Sequence, residues 1–479
     1  MVFSSLEFLF LFVPAMTILY FLVPQKHLKW RNLVLLVTSL MFYGWGEPVY
    51  VFIMIFSISF DYVYGYFVSK YKEQGKDKIA RRFVVASMVT NLLVLGFFKY
   101  ADFFIMNLKM LPFLSFLEPI GLTHLPIGIS FYTFQTMSYT LDLYKGDAKV
   151  QKNIISFGSY VALFPQLVAG PIVRYKDIDE QLRQRKESVA LVASGIRTFL
   201  AGLGKKIFLA NMAGEMWKTF SEIPVGQRTV AGAWIGIICY TFQIYFDFSG
   251  YSDMAIGFGK ILGFRFLENF NYPYIARSIT DFWRRWHMSL SSWFRDYVYF
   301  PLGGSRCSTL INYRNLLIVW FLTGFWHGAS WNFIVWGLYY FVLLVIEKAF
   351  LLPRLQKIPA FFQHVYTMFF VIFGWLLFVS ESQYLGSLGG GMTYLGNMFG
   401  VGTTAGLSQG DIYDITRNFV FFVIMGIAAT PLPKKLFYKF YEKSNIVKYA
   451  AYAGGVAILI FGVAYLVDSS FNPFLYFRF

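Results

Sequence analysis

Long apolar runs recur along the whole chain and constrain its fold more than any other feature. A helix needs about 20 largely apolar residues to cross the hydrocarbon core of a bilayer. Such runs extend from the N-terminal to the C-terminal region, and only 14% of the 479 residues are charged, against roughly 25% in soluble domains. Most of the surface therefore faces lipid, and the sequence predicts an all-α integral membrane protein.

The candidate spans are recognised by their length and by the scarcity of charge. About eleven runs qualify, although the second is short for a full crossing; they are 5–24, 32–46, 49–69, 82–99, 190–212, 229–247, 313–327, 331–352, 360–380, 417–431 and 447–467. Three less regular apolar stretches, 102–118, 125–144 and 154–172, carry prolines and glycines. Irregular backbone survives at membrane depth only where protein or a water-filled cavity covers it. We therefore expect these three stretches to form half-helices beside an interior chamber.

The charge distribution indicates an orientation in the membrane. The net charge is +16, but the basic residues cluster in short segments between the apolar runs, which argues against nucleic-acid binding. Segment 70–82 holds six basic and two acidic residues, segment 434–448 holds five and one, and segment 381–416 holds no lysine or arginine. Because cytoplasmic loops are enriched in lysine and arginine, we predict that the first two segments are cytoplasmic. The third segment and both chain termini are predicted to be external.

Two polar segments carry narrower expectations. Residues 386–410 are glycine-rich, which predicts a mobile external loop. Residues 174–187 alternate basic with acidic side chains, which favours a solvated helix with internal ion pairs. A docking surface for a cytosolic donor is the alternative for this second segment.

Residues 278–297 predict one continuous amphipathic helix. Ser278 and Asp281 have the spacing of a capping box. At about 100° per residue, the aromatic side chains fill one arc and the arginines and serines fill the opposite one, which is typical of a helix lying in the membrane interface. His287 falls at the border between the arcs, where an imidazole packs against aromatic rings yet faces an aqueous cavity. An interfacial anchor helix with an incidental histidine is the alternative.

His327 ends an otherwise apolar run and is one of only five histidines in the chain. An ionisable residue inside a span is costly, and it points to function. Histidine takes up a proton near neutral pH, as a general base must. Gly324 and Gly328 have the spacing that lets another helix approach closely. The alternative is a buried histidine that is satisfied by a backbone carbonyl.

The run 246–254 concentrates carboxylates and hydroxyls in an apolar setting. Asp247 and Asp253 are six residues apart and do not share a helix face, so paired-carboxylate hydrolysis is unsupported. Ser249 and Asp253, four apart, can face each other. No nucleophile elbow, phosphate-binding loop or dinucleotide fingerprint stands out. No two histidines are close in sequence, so no metal site is predicted.

Several long motifs carry a resemblance to a known family. They are LPIGISFYTFQ (125–135), LVAGPIVR (167–174), FDFSGYSDM (246–254), NFNYPY (269–274), ITDFWRRWHMSLSSWFRDY (279–297), PLGG (301–304) and GFWHGASWN (324–332). They closely resemble the bacterial membrane-bound O-acyltransferase family. The nearest branch contains the membrane subunits that O-acetylate alginate, peptidoglycan and other polysaccharides. The resemblance extends over 1–350 and the extreme C-terminus.

This resemblance implies a fold and a reaction. The implied fold is a single polytopic domain over 1–479, with about eleven transmembrane helices, half-helices and interfacial helices around a central funnel in the bacterial inner membrane. The resemblance makes His327 the catalytic histidine and His287 the second family histidine. The implied donor is acetyl-CoA, with no tightly bound cofactor. Because the sequence contains no soluble esterase-like domain, an extracytoplasmic SGNH-type O-acetyltransferase partner is expected to finish the transfer to a polysaccharide.

Further site residues lie within these motifs and in the aromatic tail, 471–479. The candidate substrate-binding residues are Asp247, Ser249, Asp253, Asn269, Arg284, Trp326 and Asn332. The tail resembles the aromatic-tyrosine end of a small peptide that serves in D-alanylation of teichoic acids. We predict that the Tyr476 hydroxyl accepts and relays the acetyl group. An aromatic interface anchor without chemistry is the alternative.

Two other functions stay open at the level of sequence. D-alanyl transfer to teichoic acid from a carrier protein is the nearest, although the fusion of the tyrosine motif to this chain favours acetyl transfer. A secondary transporter would also explain many spans and broken helices. Against a transporter, the sequence has no duplicated halves.

Overall fold

The protein is helical throughout the part that can be described. The computed structural model describes residues 3–121, 125–168, 170–468 and 475. Within these ranges, extended pairing is limited to one isolated β-bridge between Thr229 and Ala405. The prediction of an all-α protein is confirmed. The described residues form two compact units.

The first unit comprises the described part of Met1–Phe199 together with Tyr251–Glu268. Its helices are α1 (Val13–Leu22, preceded by the π-helical turn Phe8–Phe12), α2 (Leu28–Gly46), α3 (Val51–Glu73), α4 (Asp77–Lys109), α5 (Ile129–Lys145), α6 (Ile154–Val161), α7 (Phe164–Leu167), α8 (Tyr175–Arg183) and the first part of α9 (Val189–Gly204).

Helices α3, α4 and α5 pack closely in the first unit. A Cβ atom on Gly65 would lie only 2.1 Å from the Tyr139 ring, so this crossing requires glycine. Next to it, the fully buried Asp61 accepts hydrogen bonds from Ser87 at 2.5 Å and from Asn91 at 2.7 Å. Polar groups buried away from water need such partners. The three helices are therefore tied together by both packing and hydrogen bonds.

A second polar cluster holds the start of the first unit to the segment after α8. The Arg31 guanidinium pairs with Glu187 at 2.6 Å, and the Tyr20 hydroxyl donates to the same carboxylate. Arg185 is buried and donates to the Asn32 side chain at 2.7 Å. Although burial raises it, hydrogen bonds from Tyr20 and Arg31 hold the pKa of Glu187 below its ordinary value.

The three predicted half-helix stretches behave differently. The stretch 154–172 is broken as expected, because Ala162 and Leu163 separate α6 from the single turn α7, which has Pro165 in its first turn. The stretch 102–118 begins inside α4, which continues to Lys109, so no half-helix starts at 102. The stretch 125–144 forms the 17-residue helix α5, whose side chains are almost all buried.

The second unit comprises Leu200–Gly250 together with the described part of Asn269–Leu475. After the end of α9 and a π-helical segment, Lys205–Asn211, its helices are α10 (Met212–Ser221), α11 (Val230–Ile261, which ends in the first unit), α12 (Ile279–Trp283), α13 (Met288–Phe294), α14 (Thr309–His327), α15 (Trp331–Ile346), α16 (Leu352–Leu355), α17 (Ala360–Val379), α18 (Leu388–Met398), α19 (Gln409–Ala428), α20 (Leu432–Tyr441) and α21 (Asn445–Asp468).

Glycines bring α14 and α15 into backbone contact. A Cβ atom on Gly324 would lie 2.3 Å from the Phe333 carbonyl oxygen, and one on Gly337 would lie 2.4 Å from the Trp320 carbonyl oxygen. The predicted close approach at Gly324 is confirmed. Gly328 lies just beyond α14, where the Phe333 ring fills the space a side chain would need.

Six helices in the described residues are long and apolar enough to cross a membrane, or seven if the pair α19–α20, bent by 71°, counts as one span. The six are Val51–Glu73, Asp77–Lys109, Val230–Ile261, Trp331–Leu355, Ala360–Val379 and Asn445–Asp468. The fourth consists of α15 and α16 with the π-helical segment Glu347–Leu351 between them. The other predicted runs are helical but shorter, more polar or broken. A multi-pass membrane protein is therefore confirmed, while a count of eleven is not.

Two loop expectations had different outcomes. The expected mobile loop at 386–410 is wrong for its first half, since α18 packs there and its buried Tyr394 donates to the Ala233 carbonyl. For 174–187, α8 has the predicted internal ion pairs, including Arg183 with Asp179 at 2.6 Å. Arg185 departs from that pattern because it is buried.

Candidate active site

His287 lies at a break in the chain rather than within a helix. Ser278 caps α12 as predicted, accepting a hydrogen bond from the Asp281 N–H at 2.9 Å. The predicted continuous helix is wrong, however, because α12 ends at Trp283 and α13 begins only at Met288. His287 between them has φ 44° and ψ 52°, a left-handed conformation that costs a non-glycine residue about 1–2 kcal/mol.

Residues 269–271 form a strap whose backbone hydrogen bonds hold this break in place. The Asn271 N–H donates to the Arg285 carbonyl, and the Met288 N–H donates to the Asn269 carbonyl, both at 2.9 Å. The N-terminus of α12 is fixed separately by the buried Glu347. Its carboxylate accepts the backbone N–H groups of residues 279 and 280 at 2.7 and 2.8 Å. A strained backbone persists where its surroundings fix it in this way, often at functional sites.

The hydrogen bonds of the Asn269 side chain decide which nitrogen of His287 carries a proton. Asn269 Oδ1 accepts the Ser289 hydroxyl at 2.9 Å and the Ser289 backbone N–H at 3.3 Å. A backbone N–H only donates, so the facing Asn269 atom is the carbonyl oxygen. His287 Nδ1, 3.1 Å from that same oxygen, must therefore donate a proton to it. The lone pair of the neutral ring is consequently on Nε2.

Burial keeps the His287 ring neutral. The side chain is 1% exposed, and Nε2 has no hydrogen-bond partner among the described residues. Burial lowers the pKa of His287 to about 3, because a charged imidazolium would lose its hydration. The Phe248 ring lies edge-on at 4.7 Å between centroids. The result is a neutral imidazole with an open acceptor in an apolar setting.

His327 is the last residue of α14 and is also buried, at 4% exposure. Its ring is surrounded by aromatic side chains, with Trp336 at 5.1 Å and Phe378 at 5.2 Å between centroids. The indole Nε1 of Trp336 has no hydrogen-bond partner among the described residues. A buried donor of this kind is available to a ligand.

Trp326 joins the two histidines. Its ring centroid lies 6.1 Å from that of His287 and 5.0 Å from that of His327. Each imidazole is therefore in ring contact with the same indole. The structure brings together His287, Asn269, Trp326 and His327, which the sequence analysis had named on separate motifs.

A buried ion pair involves Asp247 of α11, the residue that precedes Phe248, whose ring contacts His287. Lys206 Nζ is 2.6 Å from Asp247 Oδ1, and both side chains are only 2% exposed. Asp247 Oδ2 accepts the backbone N–H of Leu475 at 3.0 Å. The next α11 residue is Phe248, which packs on His287. The ion pair and the imidazole are thus anchored by consecutive residues of one helix.

Close packing positions Lys206. A Cβ atom on Gly250 would lie 2.8 Å from the Gly202 carbonyl oxygen and 3.1 Å from the Lys206 nitrogen, so α11 and the chain around Lys206 are in backbone contact. The sequence analysis missed Lys206, although its position inside the candidate span 190–212 was a signal. It also missed Ser289 and Glu347, whose roles depend on contacts between distant segments.

The remaining predicted residues occupy varied positions. Ser249 is buried, and its hydroxyl has no partner among the described residues. Asn332 is buried, and its amide donates to the Phe378 carbonyl at 2.9 Å. Arg284 is exposed. Asp253 is half-buried and belongs to the first unit. Tyr476 lies outside the described residues.

No group of three or more histidine, cysteine, aspartate or glutamate side chains that could hold a metal ion occurs in the described part of the chain. The chemistry available at the two histidines is that of imidazole nitrogens and indole N–H groups. A neutral imidazole can accept a proton from a hydroxyl, and an indole N–H can donate to an oxygen that gains negative charge.

Comparison with known proteins identifies the family. Residues 147–388 match the model of MBOAT, the membrane-bound O-acyltransferase family. A probable alginate O-acetylase from Pseudomonas aeruginosa is 42% identical over 384 residues, which cover 80% of this chain and 72% of the relative. A peptidoglycan O-acetyltransferase from Helicobacter pylori is 33% identical over 415 residues, covering 80% and 77%. A teichoic acid D-alanyltransferase from Bacillus subtilis is 32% identical over 291 residues, covering 56% and 73%.

The helical fold and the family match define a multi-pass membrane acyltransferase. The chain belongs to the membrane-bound O-acyltransferase family. The predicted resemblance is confirmed, and the transporter alternative is set aside.

Proposed function

We propose that this chain moves an acetyl group from cytosolic acetyl-CoA across the bacterial inner membrane to an extracytoplasmic acceptor. The observation that carries the proposal is the pair of buried imidazoles, His287 and His327, on either side of Trp326. Acyl transfer from a thioester needs a base for the acceptor hydroxyl and donors for the oxyanion. The residues around His327 can supply both.

The proposed chemistry divides the work between the histidines. The acceptor hydroxyl loses its proton to His327 while its oxygen bonds to the thioester carbonyl carbon. The Trp336 N–H donates to the carbonyl oxygen as that oxygen gains charge. The carbon–sulfur bond then breaks, and the CoA thiolate takes the proton from the His327 imidazolium. A pKa of about 3 makes His287 a weak base, so we assign its Nε2 to hydrogen bonding with the bound donor.

Thioester cleavage by the purified protein in nanodiscs tests this assignment. Replacing a general base typically lowers the rate by about 10²–10⁴-fold, so we expect a loss of that size in His327→Ala. His287→Ala should raise the KM for acetyl-CoA as well. The exposed His27 provides the matched control, and His27→Ala should keep wild-type rates. Near-normal cleavage by His327→Ala would remove this histidine from the mechanism.

We also propose that the C-terminal tail carries the acetyl group onward through Tyr476. In support, the preceding residue, Leu475, donates its N–H to the buried Asp247, and Asp247 is adjacent to a residue that packs on His287. A phenol can form an ester with the acetyl group. Tyr476→Phe should abolish acetylation of the acceptor while donor hydrolysis persists. Tyr449→Phe, on an exposed ring of α21, is the control; full acceptor acetylation in Tyr476→Phe would exclude the relay.

The acceptor is proposed to be an extracytoplasmic SGNH-type O-acetyltransferase, which passes the acetyl group to alginate, peptidoglycan or another polysaccharide. The names of the relatives from Pseudomonas aeruginosa and Helicobacter pylori support an acetyl donor, whereas the Bacillus subtilis relative supports D-alanyl transfer from a carrier protein. Supplying radiolabelled acetyl-CoA or a D-alanyl carrier to the same nanodiscs distinguishes the two. Label transfer from the carrier alone would favour the second function.

We propose that residues 1–479 act as one domain with about eleven spans, half-helices and a central funnel, and with both termini external. The charge asymmetry of the loops supports this orientation. Single cysteines at Lys78 and Lys439 should be protected from an impermeant thiol reagent in intact cells, while one at Gly390 should react. Labelling of position 439 but not of 390 would reverse the topology.

A further inference from the structure

A cavity of about 590 Å³ opens along one side of α17 in the second unit. Ala360, His364, Met368 and Ile372 follow one face of that helix and line it. At 1.5 Å per residue, this lining extends over about 18 Å. One leaflet of a bilayer core is about 15 Å thick, half of the full 30 Å. The cavity therefore has the length of an acyl chain.

The lining of this cavity is mostly apolar, and its polar members are Thr241, Arg277, His364 and Thr430. Residues of α11 and α19 complete it, including Ile238, Phe242 and Gly426. A Cβ atom on Gly426 would meet nothing within 4 Å, so the groove is open at that point. Phe361 at its edge is 68% exposed. A groove that is apolar and open at the side suits a hydrocarbon chain better than a soluble substrate.

A second cavity, of about 460 Å³, adjoins the end of the first. The two share Ile275, and α19 and α20 bend by 71° beside them. Its lining includes Arg285, Lys434 and Lys435, and none of its described lining residues is acidic. The neighbouring Arg277 lines the first cavity. A cationic pocket thus lies at one end of an apolar groove.

The ion pairs of these cations leave positive charge in excess. Arg285 pairs with Asp281 at 2.9 Å. The Arg277 guanidinium and the Lys435 ammonium have no ion-pair partner among the described residues, and the Lys434 and Lys435 side chains are exposed. The local charge complements a phosphate group. Basic pockets between transmembrane helices bind the headgroups of anionic lipids for this reason.

We propose that this composite groove binds an anionic phospholipid, with one acyl chain along α17 and the phosphate at Arg277, Lys434 and Lys435. The lipid would contact Tyr274 and Ile275, in the segment between the Asn269 strap and α12. The bound lipid would therefore stabilise the segment that precedes α12 and positions His287. This binding site is independent of the acyl-transfer chemistry proposed above.

Native mass spectrometry of the purified full-length protein tests the proposal, with phosphatidylglycerol and phosphatidylcholine as probes. We expect phosphatidylglycerol to be retained preferentially. Because each lysine near a membrane surface contributes about 1 kcal/mol to anionic lipid binding, Lys434→Ala/Lys435→Ala should weaken its retention about fivefold per lysine. Gly426→Leu should displace both lipids by filling the groove.

Two matched variants control for the general effects of losing two positive charges and of adding a leucine side chain. Lys443→Ala/Lys448→Ala removes two lysines of the same basic segment that do not line the groove, and it should retain phosphatidylglycerol like the wild type. Gly454→Leu adds the same side chain where a Cβ also meets nothing within 4 Å. It should leave lipid retention unchanged.

Two results would overturn the proposal. Equal retention of the two lipids by the wild type, unaffected by Lys434→Ala/Lys435→Ala, would show that no headgroup site exists. Displacement of phosphatidylglycerol by adenosine 3′,5′-bisphosphate, with a raised KM for acetyl-CoA in the lysine variant, would assign the cations to the nucleotide of the donor instead.

Discussion

Replacement of Asn269 by aspartate tests how the His287 ring is held. Asn269 Oδ1 lies 3.1 Å from His287 Nδ1, so the new carboxylate would stand against the ring and favour the imidazolium. An opposite charge at such a distance raises a histidine pKa by about 1–3 units. The pKa of His287, lowered by burial to about 3, should therefore rise to between about 4 and 6 in Asn269→Asp.

The direction in which kcat/KM changes with pH follows from the neutral state of the His287 ring. If neutral His287 is the active form, wild-type activity should not depend on its titration above pH 5. In Asn269→Asp, kcat/KM should fall about tenfold per pH unit below the new pKa, since only the neutral fraction works. The assay is thioester cleavage in nanodiscs between pH 4.5 and 8, with folding checked at each pH.

Asn269→Ala separates charge from positioning. It removes the acceptor nearest to Nδ1 and leaves the Ser289 hydroxyl, 3.4 Å away, as the remaining one. The rate should therefore fall by the value of one hydrogen bond, about 0.5–1.5 kcal/mol or about 2- to 13-fold, at every pH. No new acid limb should appear. Superimposable pH profiles and rates for wild type, Asn269→Asp and Asn269→Ala would refute the conclusion that Asn269 fixes the ring.

Three further perturbations follow from the described contacts. Lys206→Met should lower the free energy of unfolding by about 3–5 kcal/mol, because it leaves the Asp247 carboxylate buried without a counter-charge. In chemical unfolding, the double variant Lys206→Met/Asp247→Leu should regain most of this lost stability. Additive losses of stability from the two substitutions would contradict the ion pair. Gly324→Leu should cost at least about 1–3 kcal/mol through overpacking of α14 against α15, whereas Gly454→Leu should be neutral in the same unfolding assay. The pKa of His287 is lower in the folded protein than in the unfolded chain. The contribution of this group to the free energy of unfolding should therefore fall by about 1.4 kcal/mol per pH unit as the pH drops from about 6.5 toward 3. His287→Gln should lack this component of the pH–Tm curve, and identical curves for wild type and variant would count against a buried neutral ring.

Periodicity predicted which side chains of 278–297 are buried but not the shape of the backbone. Phe282, Trp286 and Trp293 lie on the predicted apolar arc and are buried. The left-handed conformation of His287 has no local cause in the sequence, since it depends on hydrogen bonds to a strap almost 20 residues earlier. The hydrophobic periodicity of 278–297 therefore determines which side chains are buried, whereas contacts with residues distant in sequence determine where the helix is interrupted.

The residues missed by sequence reasoning are those whose partners are distant. Lys206 is one of two adjacent lysines inside an apolar run, and the sequence does not show that Asp247, on another helix, lies 2.6 Å from it. Glu347 likewise gains a role only because α12 begins beside it. His327 was found because an imidazole at the end of an apolar run is costly on its own. His287 was found because it falls at the border of an amphipathic pattern.

The pairing of Arg31 with Glu187 has a consequence for biogenesis. Glu187 is the residue that neutralises Arg31 at the start of α2, and both side chains are buried in the folded chain. At about 5–20 residues per second, a ribosome needs about 10–30 seconds to make the intervening chain of about 150 residues. During that interval the nascent first helices contain an arginine whose counter-charge has not yet been translated. Arg31 can therefore reach its buried, ion-paired state only after Glu187 has been translated.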